Sequence, residues 1–193
     1  MKSILQSINP KYCELIASGK KTIEVRKTKP KIPTPFKVYI YETRAECDRP
    51  IILDCGRLDF HGRGQVIGEY ICDEIKEYPY VEGEEVNEKV YQIPTIEGEQ
   101  TCLDYLDFVK YANGKTVYFW HISDLKIYDK PKELSEFYVS CNGNGTADDK
   151  MCISCPNLLF DNDKLNGHTR WCEVHKKKPL TRPPQSWCYV EEV

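Results

Sequence analysis

The chain has 193 residues, 40% hydrophobic and 30% charged, with a formal net charge of -3. That is an ordinary globular balance, and it argues against a uniformly basic nucleic-acid binder. No run approaches the roughly 18 apolar residues of a membrane span, and the first residues lack the apolar stretch of a secretory signal, so the expectation is a cytoplasmic protein with no membrane partner.

The near-neutral charge conceals a segregation. Residues 1–40 hold nine Lys or Arg against Glu14 and Glu24, whereas residues 68–109 are dominated by acids from Glu69 to Glu88. A basic face on an acidic protein can hold phosphates; a solvated lysine run is the plain alternative.

In chain order, residues 4–8 read as a first strand. Asn9 is placed to cap a short helix with Pro10 in its first turn, Tyr12, Leu15 and Ile16 share one face, and Gly19 ends it. The next strand puts Ile23 and Val25 on one side, with Thr22, Glu24 and Arg26 on the other. Pro30, Pro33 and Pro35 make a stiff connection, and residues 36–41 alternate cleanly as a strand. Residues 42–62 are polar and turn-rich and read as a partly ordered loop. A strand follows over 64–72, its glycines suggesting a bend or bulge. Thr101 is positioned to cap a helix through about Tyr111, with Asp104 completing a capping box, an apolar face of Leu103, Leu106 and Val109, and a stop at Asn113 and Gly114. Residues 116–122 and 125–128 are two more strands, and residues 183–190 return as a last one. The fold class is α+β: a mixed sheet closed into a small barrel with short helices over its ends.

Ten cysteines divide into two groups. Cys13, Cys47, Cys55, Cys72 and Cys102 stand singly among apolar residues and read as small buried hydrophobes. The others crowd the last third. Cys152-x-x-Cys155 and Cys172-x-x-His175, 16 residues apart, have the spacing of two ligand pairs closing on one tetrahedral zinc. Cys141 competes with His175 as fourth ligand, and His168 is a weaker candidate. Four protein ligands make such a site structural, a staple for a segment with little to bury. Free thiols and a disulfide are the alternatives. Cys188 alternates with Trp187 and Tyr189 and belongs to the core. The organisation is therefore a body over 1–139, a zinc-binding insert over 140–178, and a final strand over 179–193.

Chemically, Lys21 and Arg26 can hold a phosphate or a carbonyl oxygen, and Glu24 can accept from a base amino group. Surface ion pairs are the plain alternative. Gly19-x-Lys21-x-x-Glu24-x-Arg26, following a strand and a short helix, resembles the signature of the ASCH domain in the PUA-like superfamily. Leu5, Ser7, Ile8, Pro10, Tyr12, Leu15, Ile16, Ser18 and Gly19 are similar to that family's N-terminal strand and helix, and residues 117–122 to its late barrel strands. Cysteine-rich members of this kind resemble phage and prophage proteins. The resemblance implies a PUA-like barrel whose cleft floor carries Lys21, Glu24 and Arg26, and which binds RNA or a modified nucleotide. Tyr41, Tyr118 and Trp120 are candidates to stack on a base, with core packing as the alternative for each.

One branch of the family resembles an amidohydrolase acting on N4-acetylcytidine through the motif lysine, a threonine three residues later and a glutamate. Here Glu24 occupies the threonine position, a departure from that arrangement; a hydrolase acting on an acylated nucleoside stays an alternative. A ribonuclease with Glu24 as base and Lys21 or Arg26 stabilising the phosphorane is the other hydrolytic alternative. The first reading is an RNA or nucleotide-binding module. A small hydrolase using Lys21 and Glu24, and a protein-interaction adaptor using the zinc insert, are the alternatives.

Overall fold

The computed structural model describes residues 2–52, 58–82, 89–140 and 177–191. Its elements are β1 (Lys2–Ile8), α1 (Pro10–Ala17), β2 (Ile23–Arg26), β3 (Phe36–Glu42), β4 (Glu46–Ile52), β5 (Leu58–His61), β6 (Val66–Cys72), β7 (Ile75–Tyr78), β8 (Tyr80–Glu82), β9 (Lys89–Tyr91), α2 (Thr95–Gln100), α3 (Tyr105–Ala112), β10 (Val117–His121), β11 (Ser123–Lys132), a 3-10 turn (Leu134–Glu136), β12 (Tyr138–Ser140), β13 (Lys177–Pro179) and β14 (Trp187–Glu191). It is an α+β protein, mostly strand, with short helices.

The barrel does not close. Among the described residues, seven strands form an open sheet in the order β11-β6-β3-β1-β14-β12-β13, and β2-β10-β7 form a separate three-stranded sheet. The chain passes between the sheets four times, from β1 to β2, β2 to β3, β6 to β7 and β10 to β11. The last crossing is followed by Asp124, in the left-handed region at φ 46. His121 Nδ1 lies 2.7 Å from Asp73 Oδ1 and ties the β6–β7 and β10–β11 corners together. Two sheets stacked face to face bury the apolar sides of both, so the hydrophobic driving force is met without closure.

Strand alternation explains the layers. Ile4 and Ile8 of β1, Val38 and Ile40 of β3, and Tyr70 and Cys72 of β6 face α1 and Trp120. Leu5, Tyr39, Tyr41 and Val66 face the other way, against Phe137 and Val190. A third cluster lies behind the small sheet, where Ile23, Val25, Val117 and Phe119 meet Phe108 and Ala112 of α3. The expected irregularity in β6 is present: its pairing with β3 shifts between Ile40 and Tyr41, and a Cβ on Gly68 would stand 2.5 Å from the Lys126 carbonyl oxygen.

Several local expectations hold. Asn9 accepts from the Lys11 N–H at the start of α1, Gly19 follows its end at φ +71, and β14 returns to pair antiparallel with β1. Others are corrected. Residues 42–62 contain the β4–β5 hairpin rather than a loop. The helix expected from Thr101 starts later: Thr101 closes a preceding helix, α2, and Asp104 caps α3 by accepting from the Asp107 N–H. The inward face of α3 is Phe108 and Ala112, while Leu106 is 77% exposed. Both stripes have helical spacing, and the one carrying the larger ring is buried against the small sheet.

Candidate functional site

Lys21 is set at the junction of α1 and β2. Its backbone N–H, like that of Lys20, donates to the Leu15 carbonyl oxygen, which wraps the chain tightly past Gly19. The Thr22 N–H donates to the Gln100 carbonyl oxygen, and the Cys102 thiol approaches the Lys20 carbonyl oxygen. The corner between α2 and α3 is thereby clamped onto the motif.

The three charged motif residues are brought together, but inside the protein. Lys21 is 2% exposed, and Glu24 and Arg26 are each 7% exposed. The alternation of β2 does put Glu24 and Arg26 on one side, across from Trp120 and Tyr118 of β10. That side is covered by the seven-stranded sheet, so the charges lie in the interlayer space rather than on an open floor.

Their contacts are specific. Lys21 Nζ donates to the carbonyl oxygens of Thr101 at 2.6 Å and Ile23 at 2.8 Å, and stands 3.2 Å from Glu24 Oε2. Three acceptors match the three donors of an ammonium. The Tyr12 ring covers this ammonium, its centroid 5.2 Å from Nζ. Arg26 Nη2 lies 3.1 Å from Glu24 Oε1 and donates to the Ser7 carbonyl oxygen at 2.7 Å. Tyr111 of α3 lies near enough to Arg26 for the guanidinium to act on its phenol.

The phenols and the thiol around the cluster are held neutral. Burial raises the Tyr12 phenol, with Asp107 and Glu24 adding to the effect, and burial raises Tyr111 as well. Burial also pushes Tyr70 and Cys13 well above their usual ranges. Two cations and one carboxylate give the cluster itself one net positive charge.

Hydrogen-bond donors on this wall are left over. Gln6 Nε2, Arg26 Nε and Trp120 Nε1 are buried and have no acceptor among the described residues. Gln6 takes an inward position between Ile4 and Ile8, and its Oε1 accepts from the Tyr70 hydroxyl at 2.8 Å. Thr22 Oγ1 is likewise buried without a partner among the described residues. An unpaired buried donor costs about 1–3 kcal/mol, so these groups stand out against the rest of the core.

The other expected residues divide. Trp120 is fully buried beside the motif, edge-on to Phe36. Tyr41 is not brought there: it faces the opposite side of the seven-stranded sheet, with Val66 and Phe137. Cys141, Cys152, Cys155, Cys172 and His175 lie outside the described residues. Sequence reasoning missed Gln6, Tyr111 and the Thr101 carbonyl. Gln6 was legible as a polar residue at an inward strand position. The other two come from distant segments and carry no local signal.

An open cavity of about 350 Å³ lies on the other side of the small sheet, lined by Ile23, Phe119, Pro94, Ile96 and Glu97, with His121 at its edge. Glu97 there takes hydrogen bonds from Lys76 and Tyr78.

No protein-family model matches the sequence, and no curated protein matches it. Among solved structures, the chain is similar to ASCH from Zymomonas mobilis, at 20% identity over 68% of this chain and 73% of that one, with a TM-score of 0.47. Two single-residue variants of that protein match at 21% identity. One covers 69% of this chain and 77% of its own with a TM-score of 0.47, the other 68% and 74% with a TM-score of 0.45.

Proposed function

We propose that this chain recognises a nucleotide of single-stranded RNA at the Lys21–Glu24–Arg26 cluster. The observation that carries this reading is the excess of interior donors: Gln6 Nε2, Arg26 Nε and Trp120 Nε1 lack acceptors beside a cluster with one net positive charge. A nucleotide brings what is missing, namely base carbonyl oxygens and ring nitrogens for the N–H groups and a phosphate for the charge. Tyr12 and Tyr111, half-buried above Lys21 and Arg26, form the cover that moves aside on entry and offers rings for stacking.

Recognition fits better than hydrolysis. The Lys21 ammonium is fully engaged, and each Glu24 oxygen already faces a cation. These charged groups are committed to one another and to backbone carbonyls rather than directed at a substrate proton. The structural zinc insert over 140–178, a protein partner bound through it, and a phage origin in a host cytoplasm remain proposals resting on the cysteine spacing and the family resemblance.

The test is calorimetric titration of the full chain with nucleoside monophosphates and short RNAs, beside Arg26→Lys and Trp120→Phe. Trp120→Phe removes one orphan donor while keeping an aromatic ring. Binding by the wild type, weakened about tenfold in each variant, is expected. If no base in any form binds, the reading is wrong; if RNA is cut or an acetylated nucleoside is consumed, the hydrolase reading replaces it.

A further inference from the structure

Beyond Arg26 the chain leaves β2 as a short basic ribbon, residues 27–31, and aromatic side chains from three elements hold that ribbon in place. Lys27 Nζ sits 4.8 Å from the ring centroid of Tyr111 on α3, and Lys29 Nζ sits 5.1 Å from that of Tyr118 on β10. From β14, Trp187 Nε1 donates to Thr28 Oγ1 at 2.9 Å, and the Tyr189 hydroxyl accepts from the Lys31 N–H at 2.7 Å. Pro30 is buried and anchors the centre. Trp187 and Tyr189 meet edge to face at 5.5 Å, and Trp187 continues to Trp120 at 5.9 Å. All four outer rings, Tyr111, Tyr118, Trp187 and Tyr189, keep part of their surface in solvent. Lys29 is committed to Glu77 at 2.8 Å, but Lys27 and Lys31 have no carboxylate within ion-pairing distance among the described residues.

We infer that this ribbon is a track for the nucleotides flanking the one held at Arg26, with phosphates on Lys27 and Lys31 and bases against Trp187 and Tyr189. The inference rests on the proposed nucleotide site and extends it along the strand. Cations interleaved with partly exposed rings are the two components of single-stranded nucleic-acid binding: an electrostatic path and stacking platforms. The ribbon is pinned by a buried proline and two hydrogen bonds, so its cations sit on a fixed path and less freedom is lost on binding than from a loose arm. A duplex hides its base faces and cannot use the rings. An acidic peptide satisfies the lysines alone. The segregated charge of residues 1–40, nine cations against two carboxylates, provides the complementary field.

The experiment compares wild type with the double variant Lys27→Gln, Lys31→Gln, titrating a seven-nucleotide RNA and a nucleoside monophosphate across a salt series. Both side chains lie at the surface, and an unchanged thermal midpoint checks the fold. The slope of log K against log salt for RNA is expected to shrink by about 1.4, at roughly 0.7 for each phosphate that a lysine no longer neutralises. Mononucleotide affinity stays unchanged. Trp187→Leu should weaken RNA binding about 5- to 150-fold through the missing stacking platform. An RNA that binds no tighter than the mononucleotide, or an unchanged slope, overturns the track and leaves the base site standing. RNA binding that depends on Lys27 and Lys31, with no mononucleotide binding and no effect of Arg26→Lys, supports the track and overturns the base site. A duplex or an acidic peptide held as tightly as single-stranded RNA overturns the choice of occupant.

Discussion

Replacing Lys21 by Met tests whether the motif is an interior ion cluster or an open floor. Met keeps the length and apolar stem of lysine but removes the ammonium. Three acceptors then lose their partner: the Thr101 and Ile23 carbonyl oxygens and Glu24 Oε2, around a site 2% exposed. Breaking a buried pair from one side costs about 3–5 kcal/mol; Arg26 still faces Glu24 here, so the two unsatisfied carbonyl oxygens carry much of that cost. For a chain of this size that lowers the thermal midpoint by roughly 6 to 20 °C. Urea unfolding followed by tryptophan fluorescence measures it, with an unchanged m-value showing that the unfolded state is not the cause. Lys20→Met is the control: Lys20 is exposed, and its loss should stay within about 0.5 kcal/mol. Adding Glu24→Gln to Lys21→Met should cost less than the sum of the two, by roughly 0.5–3 kcal/mol of coupling. If Lys21→Met is as mild as Lys20→Met, the ammonium is solvated and the reasoning from burial fails.

Three other predictions concern a helix cap, a carboxylate and the cysteine pairs. Asp104→Ala should destabilise measurably through loss of the α3 cap, and an unfolding midpoint equal to wild type would refute that assignment. The Glu97 carboxyl is lowered from 4.5 by hydrogen bonds from Lys76 and Tyr78. Its contribution is therefore complete above that value and lost as the pH falls through the depressed one. Glu97→Gln should flatten the acid limb of stability against pH, and an acid limb identical to wild type counts against the contact. Elemental analysis of protein purified without chelator should find one zinc per chain, lost in Cys172→Ser and retained in Cys188→Ser. A metal-free wild type would reject the ligand set.

Features decided within a few residues were legible beforehand. Asn9 and Gly19 bound α1 because a cap and a left-handed turn are local chemistry. The alternation that groups Glu24 with Arg26 follows from strand geometry alone. The Thr101 and Asp104 pair shows the limit. Both residue types cap helices, and the choice of Asp104 depended on α2 ending at Thr101 so that its carbonyl could meet Lys21. The α3 face was ambiguous for a similar reason. Leu106 and Val109 are spaced as well as Phe108 and Ala112, and only the cavity offered by Phe119 and Val25 chose between them.

Local chemistry was enough to place β1, α1, β2 and β3 and to group Lys21, Glu24 and Arg26. That this group is interior follows from the packing of one sheet on the other. Strand alternation assigns residues to sides but does not say what stands opposite each side. The seven-stranded sheet stands there, and it turns an expected charged floor into a buried cluster with unpaired donors of its own.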